Sequence, residues 1–370
     1  MPQTSGLPSL SSNEARVSIP RSSRRSAAPI PFLIREARPR DLKSLLQLSR
    51  LLDSINLPTE ERELARLLRR SMLSFRGERV HPREGIYLLV LEERATEHIV
   101  GTSLIIAKHG TPEFPHYYLE MATDERYSKT LKKMFRHTYL TLHHSMDGPT
   151  EVGGLVVDPA HRHHSARVGK QLSFVRFLYI AMHRDRFEDQ VIAEMMPQLT
   201  EDGGSPFWEC YGKRVTGLSF READKLSMKD KEFIEALFPP VPLYLCMLPP
   251  EVQALIGKVR PESEGAVHLL ERIGLRFLHH IDPFDGGPFY GTRVEETTLV
   301  QEFRRYHVLT EPTFQREGGY ELLIGWEGKK GFRAARVTGR SEGSVLFLPK
   351  AVRVTLGLKE ETEIGAVPFL

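Results

Sequence analysis

The sequence is short of cysteine, of long apolar runs and of excess charge of one sign. Its 370 residues include two cysteines, Cys210 and Cys246, too few for a disulfide framework or a four-ligand zinc site. No apolar run approaches the roughly 18 residues of a membrane helix. The 51 basic and 48 acidic residues leave a net charge of +3, which argues against bulk nucleic-acid binding. We therefore expect a cytoplasmic protein with neither a membrane nor a nucleic acid as partner.

Changes in composition along the chain predict four regions. Residues 1–30 are rich in Ser, Pro and Arg and contain one acid, Glu14, which predicts a disordered tail, with a transit peptide as the alternative. Two α/β regions follow, at 31–200 and 201–297. Short strands and turns then predict a small β-rich domain over 298–370.

Hydrophobic periodicity predicts the order strand, helix, helix, strand, strand at the start of the ordered chain. The first strand is FLIREA (32–37), and Asp41 is placed to cap the helix that follows it. A second helical pattern covers 59–75, and IYLLVLEE (86–93) with HIVGTSLIIAK (98–108) predicts a hairpin.

Two later segments suggest an internal duplication. SPFWECYGKRVTGL (205–218) and EGAVHLLERIGLRFLHH (264–280) both predict a helix, a glycine turn and a strand. Coincidence is the alternative, because glycine ends many helices.

A basic loop, a candidate phosphate-binding segment, lies between a predicted strand, VGGLVV (152–157), and a predicted helix over 170–183. Backbone N–H groups at a helix N-terminus are unpaired and partly positive, so they bind phosphate. Arg162, Arg167 and Lys170 would add charge, and Gly169 would allow close backbone approach. A solvated loop that merely precedes a helix is the alternative.

The sequence Val-Asp-Pro-Ala-His-Arg (157–162), after the element order above, resembles the GNAT acyltransferase fold. There a strand ends in V-x-P-x-x-R, and the next loop wraps the pyrophosphate of an acyl-CoA. The resemblance implies an α/β (α+β) fold, with a GNAT-like mixed sheet flanked by helices and, here, two tandem GNAT-like halves. The usual R-x-x-G-x-G pattern is incomplete, because Ser165 and Arg167 stand at two glycine positions and Gly169 alone remains.

Three histidines in this loop, His161, His163 and His164, raise the question of a metal. Adjacent histidines in a loop rarely converge on one ion, and no Cys or acidic partner lies at ligand spacing. No metal is expected.

Six further segments match the motifs of one enzyme family in order and spacing. They are VIAEM (191–195), SPFW (205–208), GKR (212–214), EFIEALFP (232–239), LIGKVRP (255–261) and IDPFDGGP (281–288). On these segments the chain, from Phe32 onward, resembles the arginine N-succinyltransferases. The resemblance implies small-molecule substrates and transfer of the succinyl group of succinyl-CoA to the α-amino group of arginine, in arginine catabolism. It also implies an oligomer, either a homodimer or a pair with a related subunit.

The resemblance assigns the acyl-donor site to the strand before the loop. Leu155 occupies the position at which the family contacts succinyl-CoA, and Leu155 to Val157 would position the thioester. Without the resemblance, the sequence favours Leu155 as a buried strand residue, and its backbone would then be the part that contacts the donor. The reaction also needs a base for the α-ammonium group and donors for the tetrahedral oxyanion.

One departure from the family bears on the mechanism. The family motif is G-x-V-H-P with a catalytic His, whereas residues 257–261 read Gly-Lys-Val-Arg-Pro. Arg260 cannot act as a base, because arginine does not deprotonate in proteins. It could bind the succinyl tail, the carboxylate of arginine or another acidic substrate. Another acyl donor or acceptor, or a weakly catalytic acyl-CoA-binding relative, is therefore the alternative function.

Other candidates for the chemistry are more ambiguous. Glu194, at the end of a predicted buried strand, is a base, a substrate contact or half of an ion pair. Asp282 and Asp285 would bind the arginine guanidinium or cap a turn. Tyr211 would reprotonate the leaving thiolate or pack in the core.

Overall fold

The computed structural model describes residues 30–51, 57–78, 81, 84–311 and 319–370. The predicted disordered tail, residues 1–30, lies outside this part of the chain except for Ile30. Within the described residues, fifteen strands form one continuous mixed sheet, and eleven α-helices are present. None of these helices is both long and apolar enough to span a bilayer.

The first elements confirm the predicted order. They are β1 (Phe32–Glu36), α1 (Leu42–Ser49), α2 (Glu61–Arg76), β2 (Ile86–Glu93) and β3 (His98–Ile106). Strand β2 lies antiparallel between β1 and β3. Leu45 of α1 and Leu64 of α2 pack on one face of these strands with Val90. The two helices therefore cover this face of the sheet.

A long hairpin and a parallel pair of strands follow. The elements are β4 (His116–Ser128), β5 (Lys133–Ser145), β6 (Thr150–Val157), α3 (Val168–Met182) and β7 (Gln190–Glu194). The sequence did not predict the β4–β5 hairpin, but it did predict β6, α3 and β7. Strand β6 pairs antiparallel with β3 and parallel with β7.

Short helices then form a second core before the chain returns to the sheet. They are α4 (Pro206–Cys210), α5 (Gly212–Thr216), α6 (Phe220–Ser227), α7 (Glu232–Leu237) and α8 (Pro250–Gln253), with β8 (Leu243–Tyr244) between the last two. This second core is centred on Phe207, Trp208, Phe238 and Phe284. Trp208 is fully buried and stacks on Phe284, with ring centroids 5.0 Å apart.

The chain re-enters the sheet through α9 (Glu264–Arg272), β9 (Arg276–Ile281) and β10 (Pro288–Arg293). Strand β10 lies antiparallel between β7 and β9, which gives the order β1-β2-β3-β6-β7-β10-β9. The predicted GNAT-like mixed sheet flanked by helices is confirmed.

The predicted repeat of helix, glycine and strand is wrong for its first copy. The segment 205–218 folds as α4 and α5, with Gly217 ending the second helix, whereas 264–280 does form a helix, a glycine turn and a strand. A run as short as VTGL does not separate a helix end from a strand by periodicity. In the described part of the chain, β9 and β10 complete the sheet begun by the earlier strands. The boundaries of the four predicted regions stay predictions.

The end of the chain is β-rich, as predicted, and is continuous with the main sheet. Its elements are α10 (Thr298–Gln301), β11 (Arg304–Glu311), β12 (Tyr320–Trp326), β13 (Arg333–Glu342), β14 (Val345–Pro349), α11 (Lys350–Leu356) and β15 (Glu363–Pro368). The five strands run in the order β12-β15-β11-β14-β13, and β12 pairs back to β13. Strand β13 also pairs with β1.

Helix α3 lies between the main sheet and the C-terminal strands. It contacts β3 and β6 on one side and β12 and β15 on the other. Twelve of its fifteen residues are buried, including the charged Lys170 and Arg176. The helix is therefore a central element of the fold, and its charges lie in surroundings from which water is largely excluded.

A buried ion network joins β1, β2 and the start of α1. The Arg35 guanidinium donates to Asp41 at 2.7 and 2.9 Å and to Glu92 at 2.8 and 2.6 Å. Asp41 also accepts the Arg38 N–H at 2.7 Å, and its side chain does not cap α1 as predicted. Arg35 and Asp41 are each 3% exposed, so each charge depends on its partner.

Asp41→Ala is expected to lower the free energy of unfolding by about 3 kcal/mol, because Arg35 keeps its charge but loses one of two carboxylates. Urea unfolding measures the change. The exposed Arg136–Glu125 pair, at 2.8 Å, is the control, and Glu125→Ala should cost less than about 1 kcal/mol. Equal losses for the two variants would contradict the buried network as a determinant of stability.

Candidate functional site

A cleft opens where β6 and β7 separate. Their parallel register ends after Thr150↔Val191 and Glu151↔Ile192. On the other side of β6, the pairing with β3 shifts between Thr102 and Leu104, and Gly154 has φ +56. A Cβ on Gly154 would lie 2.9 Å from the Leu104 Cβ, so the sequence must have glycine here. This bulge re-aims β6 and breaks its pairing with β7.

The space between the diverging strands is a cleft with about 630 Å³ of empty volume, including its open mouth. Its lining comes from β6, β7, α3 and the start of α9: Val152, Gly153, Gly154, Leu155, Arg176, Ala193, Glu194, Met195, Met196, Ser263, Ala266 and Leu270. Beyond Glu151, the β6 backbone that faces β7 has no strand partner there. Its N–H and C=O groups are therefore available to an extended ligand with amide groups.

The predicted phosphate loop leads from this cleft to the N-terminus of α3. Asp158 accepts the Ala160 N–H at 2.8 Å, which starts a single 3-10 turn. Arg167, the N-cap residue of α3, makes no side-chain capping hydrogen bond, so it leaves the first backbone N–H groups of the helix unsatisfied. The position of Gly169 is open, since its Cβ would first meet Val157 Cγ2 at 3.7 Å.

Arg167 resolves one departure from the GNAT loop pattern. It stands where the pattern has glycine, and its φ is +53. The backbone thus keeps the left-handed conformation that glycine favours, at the cost of strain in a residue with a side chain.

Basic side chains surround the start of α3. Lys170 is 6% exposed, and its Nζ lies 4.5 Å from the centroid of the Phe369 ring. Among the described residues, Nζ has no hydrogen-bond partner. Burial, together with the nearby Arg272, Arg167 and Arg336, lowers the pKa of Lys170 to about 8, although Glu321 acts in the opposite direction. Such a concentration of positive charge favours an anion.

Arg336, on β13, is one of the residues that the sequence did not identify. Its guanidinium donates to the Ala166 carbonyl at 3.0 Å and so ties the loop to the C-terminal strands. It lies 170 residues from Ala166 in sequence, and no motif links the two positions.

The loop histidines have structural contacts. His164 Nδ1 accepts the Ala166 N–H at 3.0 Å, and the His161 and His164 rings pack edge-on against Phe32. Arg162 is near the Val157 carbonyl, with its Nε 3.5 Å from the oxygen. These contacts hold the loop against β1 and the end of β6.

Three carboxylates converge at the far side of the cleft. Glu194 ends β7, while Asp282 and Asp285 lie in the turn between β9 and β10, and one oxygen of each lies within 4.8 Å of the others. The antiparallel pairing of β7 with β10 places Glu194 opposite Phe289 and so beside this turn. Asp282 also accepts the Phe284 N–H at 2.7 Å, and Asp285 accepts the Gly287 N–H at 2.7 Å. The two aspartates therefore cap the turn as well as joining Glu194.

The acidic cluster, defined as Glu194, Asp282 and Asp285, is held in an unfavourable environment. Burial raises the pKa of Glu194 well above its usual value, and the two aspartates raise it further. Burial also raises the pKa of Asp285 well above its usual value and, against two backbone hydrogen bonds, that of Asp282. Lys231 lowers the pKa of Glu194 and Asp282 without offsetting burial. A cationic ligand would relieve this repulsion.

Buried polar residues next to the acidic cluster were also missed by sequence reasoning. His109 Nδ1 contacts the carboxylate of Glu151, and Glu151 raises the pKa of Glu194. His116 packs edge-on to Phe289, and burial lowers its pKa well below the usual value. Strands distant in sequence bring these groups together.

Arg260, at the position of the family's histidine, lies at the edge of the cleft. Its backbone N–H donates to the Met196 carbonyl at 3.0 Å, and its Nε to Ser263 Oγ at 3.3 Å. Three histidines lie shortly after Arg260 in sequence, and the first, His268, has 79% of its side chain exposed and lies 3.7 Å from Glu271. His279 is exposed, and His280 stacks on Tyr118.

Tyr211 lies in the second core and not among the residues that line the cleft. It is 8% exposed, and its ring lies 5.8 Å from Phe207 and 5.2 Å from Phe238. Burial raises the pKa of its hydroxyl. Of its two predicted roles, the packing role is the one that this position fits.

Comparison with known proteins identifies the family. The family model described as arginine N-succinyltransferase beta subunit matches residues 32–299. The arginine N-succinyltransferase of Yersinia enterocolitica is 32% identical over 328 residues, which cover 88% of this chain and 94% of that protein. That of Photorhabdus laumondii is 30% identical over 339 residues, covering 91% and 98%.

A solved structure gives the same result. The arginine/ornithine succinyltransferase subunit AI from Pseudomonas aeruginosa aligns with a TM-score of 0.77 at 26% identity, over 92% of this chain and 99% of that one. The resemblance found in the motifs is confirmed over most of the chain. This chain belongs to the arginine N-succinyltransferase family.

Proposed function

We propose that this chain transfers the succinyl group of succinyl-CoA to the α-amino group of arginine, as part of arginine catabolism. The observation that carries the proposal is the cleft between β6 and β7, which adjoins a basic helix start on one side and the acidic cluster on another. An acyl-CoA needs the first feature, and a cationic amino acid needs the second.

The donor would lie along β6. Its pyrophosphate would meet the N-terminus of α3 with Arg162, Arg167, Gly169 and Lys170, and its amide-containing arm would pair with the open backbone between Leu155 and Val157. This assignment is supported by the uncapped helix start and by the absence of a β7 partner along this part of β6. Leu155 also lines the cleft, so its backbone is placed near the thioester.

The acceptor would bind from the side of the acidic cluster. Asp282 and Asp285 would receive the guanidinium group, and Glu194 would take the proton that the α-ammonium group must lose. The neutral amine attacks the thioester carbonyl, a C–N bond forms, the C–S bond breaks, and the thiolate leaves as CoA and takes up a proton. The raised pKa of Glu194 supports its role as a base, because a more basic carboxylate accepts a proton more readily.

Arg260 would bind the α-carboxylate of arginine at the cleft edge. Its contact with Ser263, a cleft residue, supports this position. The role of the family's histidine as a base would then pass to Glu194.

The proposal also covers assembly and location. A homodimer, or a pair with a related subunit, is supported by the name of the Pseudomonas aeruginosa relative, which is a subunit, and by exposed apolar side chains on the β4–β5 hairpin. Tyr127, Leu131 and Met134 are 58%, 66% and 56% exposed there. Both cysteines, Cys210 and Cys246, are unpaired, which supports a cytoplasmic location.

Release of free CoA thiol from succinyl-CoA tests the activity directly. We expect release that depends on arginine, with succinylarginine as the product by mass spectrometry. The same assay, repeated with a chelator and with added divalent cations, tests whether the acidic cluster binds a metal ion or the cationic substrate, arginine. Absence of arginine-dependent thiol release at high enzyme concentration would contradict the proposal.

Glu194→Gln is expected to lower kcat by roughly 10²–10⁴-fold, because the amide cannot accept the proton. The KM for succinyl-CoA should change little, since Glu194 is assigned to the acceptor. Steady-state thiol release measures both constants, and Glu201→Gln, at an exposed turn, is the matched control. A kcat within a few-fold of the parent would exclude Glu194 as the base.

Asp285→Asn should stabilise the protein and weaken arginine binding. Asn keeps an oxygen for the Gly287 N–H but removes a buried charge. The pKa of Asp285 is raised in the folded state. Below about pH 4 its carboxyl is neutral in both the folded and the unfolded chain and so does not change stability. As the pH rises through the folded-state pKa, the carboxyl ionises and destabilises the fold. The variant should therefore melt higher than the parent at pH 8, with no difference below about pH 4.

Arginine binding supplies the second readout for this variant. Loss of one contact to a charged group, about 1.5–3 kcal/mol, corresponds to roughly a 10- to 100-fold rise in the KM for arginine. Asp189→Asn, whose side chain is 73% exposed, should change neither quantity. A higher melting temperature with an unchanged KM would place Asp285 outside the arginine site.

A further inference from the structure

Arg176 is a buried cation that faces the cleft and has no role in the chemistry above. It lies on α3, is 2% exposed and lines the cleft with Ala193, Ala266 and Leu270. Its Nε donates to the Ser173 carbonyl at 3.1 Å, and its Nη2 to Ser173 Oγ at 3.0 Å. Both contacts are with one neighbouring residue on the same helix.

Within the described residues, no carboxylate forms an ion pair with Arg176. Burial lowers its pKa to about 9, and no acidic group raises it again. The groups that perturb Glu194 are the two aspartates, Glu151 and Lys231, so the two charged cleft residues do not compensate one another. Compare Arg35, which is equally buried but bridges two carboxylates.

An uncompensated buried guanidinium is costly, and arginine does not relieve the cost by losing its proton. Its bonds to Ser173 hold Nε and Nη2, which leaves Nη1 with no hydrogen-bond partner among the described residues. Among the side chains that line the cleft, Ala193, Ala266 and Leu270 offer no acceptor, and the carboxylate of Glu194 does not raise the pKa of Arg176. An anionic group of the ligand is the partner that this site fits.

We propose that Arg176 binds the free carboxylate at the far end of the donor's acyl chain and so selects acyl-CoA thioesters that end in a carboxylate. This rests on the proposed function, in which the thioester lies at Leu155, across the same cleft. The acyl chain would lie between β6, β7 and α9, with its negative end towards α3. Ser173 is then a positioning residue, which orients the guanidinium.

The charges of the cleft are separated in a way that suits this reaction. The acidic cluster repels an acyl carboxylate and attracts the cationic acceptor, whereas Arg176 does the opposite. A donor bound in the opposite orientation would place its acyl carboxylate beside the acidic cluster. The arrangement thus favours one orientation of each substrate.

Calorimetric binding of CoA esters, without any acceptor, tests this inference separately from turnover. The probes are succinyl-CoA, its neutral isostere succinamoyl-CoA (the terminal amide) and butyryl-CoA. The parent protein is expected to bind succinyl-CoA at least 10-fold more tightly than either neutral ester. Arg176→Met should lose that preference while binding butyryl-CoA as tightly as the parent.

Control variants separate binding from a structural role. Arg186→Met removes a partly buried arginine that bonds to the Tyr179 hydroxyl at 2.9 Å, outside the cleft lining, and should keep the preference. Ser173→Ala should reduce the preference in part, because the guanidinium keeps its charge but loses an anchor. If Arg176→Met does not fold, Arg176→Gln, which keeps a polar side chain at the site, provides the same comparison.

Two results would overturn the inference: no preference for succinyl-CoA in the parent, or an equal loss of affinity for all three esters in the Arg176 variants. The proposed function fails in a different way. Absence of turnover with arginine, in a protein that still prefers succinyl-CoA, would remove arginine as acceptor and leave Arg176 as the acyl-carboxylate site.

Discussion

The separation of two parallel strands is the constraint on which the rest of the structure depends. Strands β6 and β7 share two register positions and then part, because the bulge at Gly154 turns β6 aside. Parallel strands in a closed sheet would satisfy one another's backbone groups and leave no room for a ligand. Here β6 and β7 do not pair beyond the first two positions. The resulting cleft is bordered by unpaired backbone of β6, by the start of α3 and by buried side chains.

A second feature is that the charged side chains of this region are shielded from solvent. Helix α3 is covered by the main sheet and by the C-terminal strands, so Lys170 and Arg176 are buried although neither forms an ion pair with an acid in the part of the chain that the structure describes. The acidic cluster is half-buried, and burial and mutual repulsion outweigh the effect of the nearby cation, Lys231. Arg35, Asp41 and Glu92 show that the same chain compensates a buried charge where the role is structural. Uncompensated charge is concentrated at the cleft, which is typical of a site whose counter-ions are its substrates.

Much of the fold could be predicted from the sequence, and so could part of the site. The elements from β1 to β7 have long, regular patterns, and all but the β4–β5 hairpin were predicted. The helices between 205 and 253 were harder, because each is short and its apolar residues face a separate core. The prediction of a helix, a glycine turn and a strand over 205–218 is wrong for this reason, since α5 is five residues long and its sequence has no clear period. Motifs located Glu194, Asp282, Asp285 and Arg260 near the cleft, and they also named Tyr211, which packs in the second core.

What the sequence determined by itself was the family, the strand-loop-helix unit and the residue types available for chemistry, since these depend on local pattern and on motif order. Only the tertiary structure decided which charges are left without partners. Arg176 reads as one more residue of an apolar helix, and Arg336 as one of several arginines in a strand. Their surroundings come from strands and helices far away in sequence. Burial and pairing are properties of those surroundings, and they turn an ordinary arginine into a binding group.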